Sequence, residues 1–174
     1  QGQSIGDIVT PLGMSFEQAD MLARSVFGTD NEENDRDRTF QLRRHQQAAL
    51  EVSLGDDHER NVILTAGTGA GKTEGFLLPI LARLIKESAS WPDPNDDQRA
   101  QPWWKEIHGD TAWEPSRISE CRPSALRAII LYPTNALVQD QLTRLRRALA
   151  KLSADISPHQ IHFGQYTGAT LGNG

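Results

Sequence analysis

Apolar residues recur along the chain in two rhythms: three to four apart over long stretches, and in short unbroken runs between them. From Ser15 to Phe27 the positions Phe16, Leu22, Val26 and Phe27, with Ala19 and Ala23, fall near helical spacing, and Ser15 with Gln18 three residues later makes a capping-box pattern. Residues 28–38 then carry Asp30, Glu32, Glu33, Asp35 and Asp37 with almost nothing to bury, the signature of a solvated linker. The helical rhythm returns over 39–54, where Leu42, Ala49, Leu50 and Leu54 share a side and Gly55 supplies a stop. Val62, Ile63 and Leu64 form a short β-branched run that reads as a buried strand. A glycine-rich loop follows, and Phe76, Leu77, Ile80, Leu81, Leu84 and Ile85 then predict a helix over 72–86. Pro79 lies inside that helix, and an interior proline costs about 3 kcal/mol unless a kink accommodates it, so a bend is expected there.

Periodicity disappears over 88–123, where Pro92, Pro94, Pro102, Pro115 and Pro123 interrupt a run that holds Trp91, Trp103, Trp104 and Trp113. This reads as a long loop or insertion, with the indoles expected to pack against the body and hold the loop down. The alternative use of Trp103 and Trp104 is to stack on nucleic-acid bases. Beyond it, 126–132 reads as a second buried strand, Pro133 ends that strand, and Thr134 can cap a helix whose Val138, Leu142, Leu145, Leu149 and Leu152 step by four, three, four and three. Arg144, Arg146, Arg147 and Lys151 crowd the last turns of that helix, favourable against its dipole and otherwise a solvated basic edge. A third strand is expected at 161–166, with a glycine turn at Gly168. Strand, helix, strand, helix, strand is the alternation of an α/β fold with a parallel sheet, here preceded by a short helical arm over 1–38.

Composition narrows the class. A chain of 174 residues with 37% hydrophobic and 24% charged content is globular rather than disordered, collagenous or a disulfide scaffold. The formal charge of -5 gives no global basic field, so any nucleic-acid surface must be local. Cys121 is the single cysteine, which suits a reducing compartment, and the cytoplasm is the expected location. No apolar run approaches membrane-spanning length, so no membrane partner is expected. His45, His58, His108, His159 and His162 have no metal-ligand spacing.

The stretch Ala66-Gly67-Thr68-Gly69-Ala70-Gly71-Lys72-Thr73 carries the most specific chemistry. Glycines at 67, 69 and 71 let the backbone wrap a polyphosphate with its amide N–H groups pointing inward. Lys72 supplies a point charge for the β and γ phosphates, Thr73 offers a hydroxyl to Mg²⁺, and the helix beginning there turns its positive end to the anion. The nucleotide-binding candidates are thus Gly67, Thr68, Gly69, Ala70, Gly71, Lys72 and Thr73, with Lys72 and Thr73 also the catalytic candidates. From the loop alone, kinases, GTPases, transporters and motors stay open.

Together with three further segments, this loop resembles that of superfamily 2 helicases of the DEAD/DEAH-box kind, whose helicase-like P-loops tolerate Ala66 where the strict pattern has glycine. Leu42-Arg43-Arg44-His45-Gln46 looks like the Q motif, in which the resemblance makes Gln46 the adenine reader, with Arg43 stacking on or flanking the base. Leu131-Tyr132-Pro133-Thr134-Asn135-Ala136-Leu137-Val138-Gln139-Asp140-Gln141 resembles motif Ia, which touches the sugar-phosphate backbone of one strand, so Pro133, Thr134, Asn135 and Gln141 are nucleic-acid candidates. Asn135 replaces the usual basic residue. Tyr166-Thr167-Gly168-Ala169-Thr170 looks like the glycine turn after the third strand and adds Thr167 and Gly168. The wording of motif Ia, the Arg-Leu-Arg run after it and the tryptophan-rich insertion are similar to large bacterial helicases, some of them in antiphage-defence systems of the DISARM or Druantia kind.

The resemblance implies a partial RecA-like ATP-binding lobe over 39–174, ATP and Mg²⁺ as cofactors, nucleic acid as partner (DNA rather than RNA), a second RecA-like lobe, and defence-system proteins as further partners. No DExD or DExH follows motif Ia within the sequence, so the expectation is a piece of a larger ATP-dependent DNA helicase or translocase that by itself binds nucleotide and hydrolyses it poorly. The alternatives are a nucleic-acid- or protein-binding module without turnover, and an unrelated P-loop kinase or GTPase.

Overall fold

A computed structural model describes residues 2–28, 40–55, 61–67, 69–92, 125–156 and 159–168. Among the described residues its elements are five helices: α1 (Ile5–Val9), α2 (Phe16–Phe27), α3 (Arg44–Leu54), α4 (Lys72–Ser88) and α5 (Asn135–Asp155). Helix α1 is too short to show a period in sequence. It is held at its start by a capping box in which the Asp7 N–H donates to Ser4 Oγ at 3.2 Å and the Ser4 N–H to Asp7 Oδ2 at 3.1 Å. The Ser4 hydroxyl, donating to Asp7 Oδ2 at 2.7 Å, and then the Ser4 N–H stabilise the ionised form and hold the Asp7 carboxyl below its usual range. The capping box expected at α2 is present, with Ser15 and Gln18 exchanging bonds at 2.9 and 3.2 Å. Of the apolar positions that predicted α2, Leu22 is buried whereas Phe16 is 81% exposed at the first turn.

The helix expected over 39–54 begins only at Arg44. Residues 40–43 are extended instead because Gln41 pairs with Ser4 in an isolated antiparallel bridge and the Leu42 N–H donates to the Gln3 carbonyl at 3.0 Å. Gly55 ends the helix as expected. Helix α4 runs through Pro79 to Ser88 as one element, with Pro79 buried. Gly75 permits its approach to the preceding segment, since a Cβ there would lie 2.9 Å from Leu64 Cδ1.

One core joins the helices. Leu22 of α2, Leu50 of α3, Leu78, Leu81 and Ile85 of α4, and Leu152 of α5 are sealed from solvent together with Ile5, Ile8 and Val9 of α1. Polar contacts reinforce the packing at its rim: Arg24 of α2 reaches Asp155 of α5 at 3.1 Å, and Lys86 of α4 donates to the Leu12 carbonyl at 2.9 Å. Phe27 and Phe40 stack with centroids 5.1 Å apart, so the two ends of the acidic linker meet. All but the first residue of the linker over 28–38 lies outside the described residues, as does the insertion over 88–123 from residue 93 onward, with Trp103, Trp104 and Trp113. Trp91 is described and is fixed as expected of the indoles: its Nε1 donates to Glu87 at 3.1 Å and its ring meets the His159 ring edge-on at 5.4 Å.

The parallel sheet expected from the sequence is not formed among the described residues. The segments 61–67, 125–132 and 159–167 run without ladder hydrogen bonds, and Ile63, Leu131 and Tyr166 are 91%, 86% and 88% exposed. An apolar run marks a segment that needs covering; a strand exists only when a neighbour supplies the hydrogen-bond ladder. Two of the segments still lie over the helices that such a sheet would cover. Between them and Leu77 and Leu81 of α4 and Leu142 and Leu145 of α5 is a cavity of about 740 Å³. No helix among the described residues is long and apolar enough to cross a membrane.

Candidate functional site

The glycine-rich loop delivers the chain into α4 through two left-handed residues, Gly69 at φ 72° and Gly71 at φ 75°. Left-handed backbone costs an ordinary L-residue roughly 1–2 kcal/mol, so this turn needs glycine at both places. Gly71 needs it for space as well: a Cβ would stand 2.5 Å from Gln46 Nε2 and 3.1 Å from Glu74 Oε2. Around Gly67 and Gly69, by contrast, a Cβ would meet nothing within 4 Å among the described residues, which leaves space at both. Gly71 is the N-cap of α4 and no side chain caps the helix, so the amides of its first turn keep their capacity to bind an anion. Lys72 is exposed, Thr73 and Ala70 are half-buried, and Thr68 lies outside the described residues.

Helix α3 brings the two adenine candidates against this loop. Gln46 is 5% exposed, accepts the Arg43 N–H at 3.0 Å, and donates from Nε2 to the Gly71 carbonyl at 2.9 Å. Arg43 is exposed and points a guanidinium nitrogen to the Gly69 carbonyl at 3.4 Å. Gln46 and Gly71 stand 25 positions apart in sequence; the packing of α3 on α4 makes them neighbours. An amide in this position retains a second N–H and a second lone pair beyond those already engaged.

The nucleic-acid candidates are distributed rather than gathered. Pro133 and Thr134 are exposed just before α5, Asn135 opens that helix, and Thr134 holds the N-cap position without a side-chain capping bond, which leaves its hydroxyl for other use. Gln141 faces the apolar cavity; its Oε1 is buried without a hydrogen-bond partner and its Nε2 donates to Asp140 at 3.2 Å. Thr167 is half-buried and Gly168 is exposed, with open space where a Cβ would be. Burial raises the Tyr132 phenol above its usual range.

Two residues to which the sequence reading gave no site role lie at the same place. Glu74, in the first turn of α4, pairs with Arg144 of α5 at 2.8 Å, and Arg144 also approaches Asp140 at 3.7 Å. The sequence signal available for Glu74 was its position directly after Lys72 and Thr73; nothing in the pattern linked it to a residue 70 positions later.

A family model described as DEAD/DEAH box helicase matches residues 43–170. The chain is 38% identical over 132 residues to the Druantia protein DruE of Escherichia coli (strain UMEA 4076-1), an alignment covering 73% of this chain and 6% of that protein. It is 33% identical over 99 residues to the DEAD-box ATP-dependent RNA helicase 13 of Oryza sativa subsp. japonica, covering 57% of this chain and 10% of that protein. The chain therefore spans a small part of the length of both relatives. No solved structure is significantly similar to it.

Proposed function

The chain belongs to the DEAD/DEAH box helicase family, and on that premise we propose that it is the N-terminal portion of the ATP-binding lobe of an ATP-dependent DNA helicase or translocase. The family implies a RecA-like fold; in this reading 62–64, 126–132 and 161–166 would supply strands of its parallel sheet. The observation that carries the reading is the open space at Gly67 and Gly69 beside the first turn of α4, whose N-cap Gly71 has no side chain to cap it. Phosphates would be held by the loop amides and Lys72, Mg²⁺ by Thr73, and adenine by the free N–H and lone pair of Gln46 with Arg43 alongside. ATP so bound is the energy source of the reaction; the residues of this chain orient its phosphates and supply positive charge where negative charge accumulates.

Nucleic acid is the proposed partner, held by its backbone at Pro133, Thr134 and Asn135 where α5 begins, with Thr167 and Gly168 as further contacts and Gln141, which faces the cavity, behind them. The exposed Thr134 hydroxyl and the helix N-terminus support contact with phosphate without base preference. DNA rather than RNA, a second RecA-like lobe, defence-system partners and a cytoplasmic location complete the proposal; the similarity to DruE, whose name places it in Druantia, supports the defence context. The direct test is Lys72→Ala. It is expected to lower affinity for Mg-ATP at least tenfold by calorimetry with an unchanged circular dichroism spectrum, and undiminished affinity would overturn the reading.

A further inference from the structure

Glu74 puts a negative charge where the proposed ligand is negative too. Its carboxylate sits in the first turn of the phosphate-facing helix, with Oε2 only 3.1 Å from the space a Cβ of Gly71 would fill and Oε1 2.8 Å from Arg144. The Glu74 side chain is 19% exposed and Arg144 52%. A carboxylate suits a helix N-terminus when nothing else is bound there, because it faces the positive end of the dipole. A polyphosphate at the same amides competes for that dipole and repels the carboxylate, more strongly the less water lies between them.

We propose that Arg144 neutralises Glu74 at the mouth of the phosphate loop, so that a residue of α5 sets the affinity of α4 for polyphosphate. This rests on the reading of the loop as a nucleotide site. Arg144 is placed for the role by α2, which packs against both α4 and α5, and its second contact, Asp140 at 3.7 Å, lies one turn back on its own helix. Beside the pair a hollow of about 470 Å³, lined by Glu74, Leu77, Arg144, Arg147 and Ala148 among others, gives the Glu74 carboxylate room to turn away from an incoming phosphate while staying against the guanidinium. Arg144 is thus a positioning residue: it reaches the ligand only through Glu74. Thr134 stands ten positions earlier on the same helix, about 15 Å along its axis, so α5 carries the proposed strand contact at one end and the compensating charge further along.

The test is a double-mutant cycle in the full-length protein, with Mg-ATP and adenosine as the probes and equilibrium binding as the readout. Arg144→Ala is expected to weaken Mg-ATP about tenfold at low salt, to leave adenosine unaffected, and to lose its effect as salt is raised. Glu74→Gln alone is expected to bind Mg-ATP at least as well as wild type, and Glu74→Gln with Arg144→Ala to return to it, because the charge needing compensation is gone. Arg144→Lys, which keeps the charge, is expected to stay within a few-fold of wild type. A double variant as weak as Arg144→Ala, or an equal loss for adenosine, would assign Arg144 to packing and overturn the proposal alone. Wild-type protein that binds no ATP would overturn the nucleotide reading and the proposal with it.

Discussion

At Gly71 three demands fall on one residue: a left-handed backbone, a side-chain amide 2.5 Å from where a Cβ would go, and the first amide turn of α4. Gly71→Ala is therefore expected to lower stability by about 1–2 kcal/mol from the backbone conformation, with a further loss as Gln46 is displaced. The check is a urea midpoint, and an unchanged midpoint would mean the loop adopts another path. Gln46 answers to the same geometry. Its donated bond to the Gly71 carbonyl makes it a support of the loop before any base is read, so Gln46→Ala is expected to loosen the loop as well as to weaken ATP. Comparing ATP with a nucleotide that lacks adenine's hydrogen-bonding edge separates the two roles, since equal losses for both would leave only support. The motif itself was legible in sequence, and so was the glycine requirement. Gln46 beside Gly71 became visible only once α3 was laid on α4.

At the scale of elements, the helix starts follow local capping chemistry, and at α3, where Gln46 accepts the Arg43 N–H, tertiary pairing adds to it. Ser15 and Gln18 fix the start of α2 as the sequence predicts, and Ser15→Ala is expected to cost about 1 kcal/mol in a denaturant titration. Helix α3 begins later than its apolar spacing predicts because Gln41 and Leu42 find partners in Ser4 and Gln3, residues too distant in sequence for any local rule to reach. Asp7 supplies a pH signature for α1. Its folded-state carboxyl titrates below the unfolded value of about 3.9, so the support it gives is present above that pH and is lost as pH falls through the lower folded value. Asp7→Asn is expected to flatten this acid limb of the stability profile, read as thermal midpoints between pH 2 and pH 6; an unaltered limb would place the acid sensitivity elsewhere.

Across the whole molecule, the helices close around a sealed interior while the strand-like segments do not close at all. Leu22, Leu50, Leu78 and Leu152 are inaccessible to solvent, and Leu152→Ala is expected to cost 2–5 kcal/mol, or about that, by cavity formation. Ile63, Ile129, Leu131 and Tyr166 lie on the outside, and a cavity separates two of their segments from α4 and α5. An exposed apolar surface of this kind is what an apolar dye binds. The 174-residue chain made by itself is accordingly expected to bind the dye ANS strongly, and a chain that leaves the dye dark would show that these segments find cover within it.

The chain's own order of residues determined what local chemistry can determine: the caps of α2, the glycine loop and its Lys72 and Thr73, the amphipathic stripe of α4 and α5, and the motifs that carried the family. These depend on neighbours within a few positions, so spacing exposes them. Only the folded arrangement decided that α1 and α2 share the interior with α4, that Gln46 meets Gly71, and that Glu74 faces Arg144. Such pairings join positions 25 and 70 residues apart, and what brings them together is the burial of apolar faces, a force that says which sides must meet without naming the polar residues carried along with them.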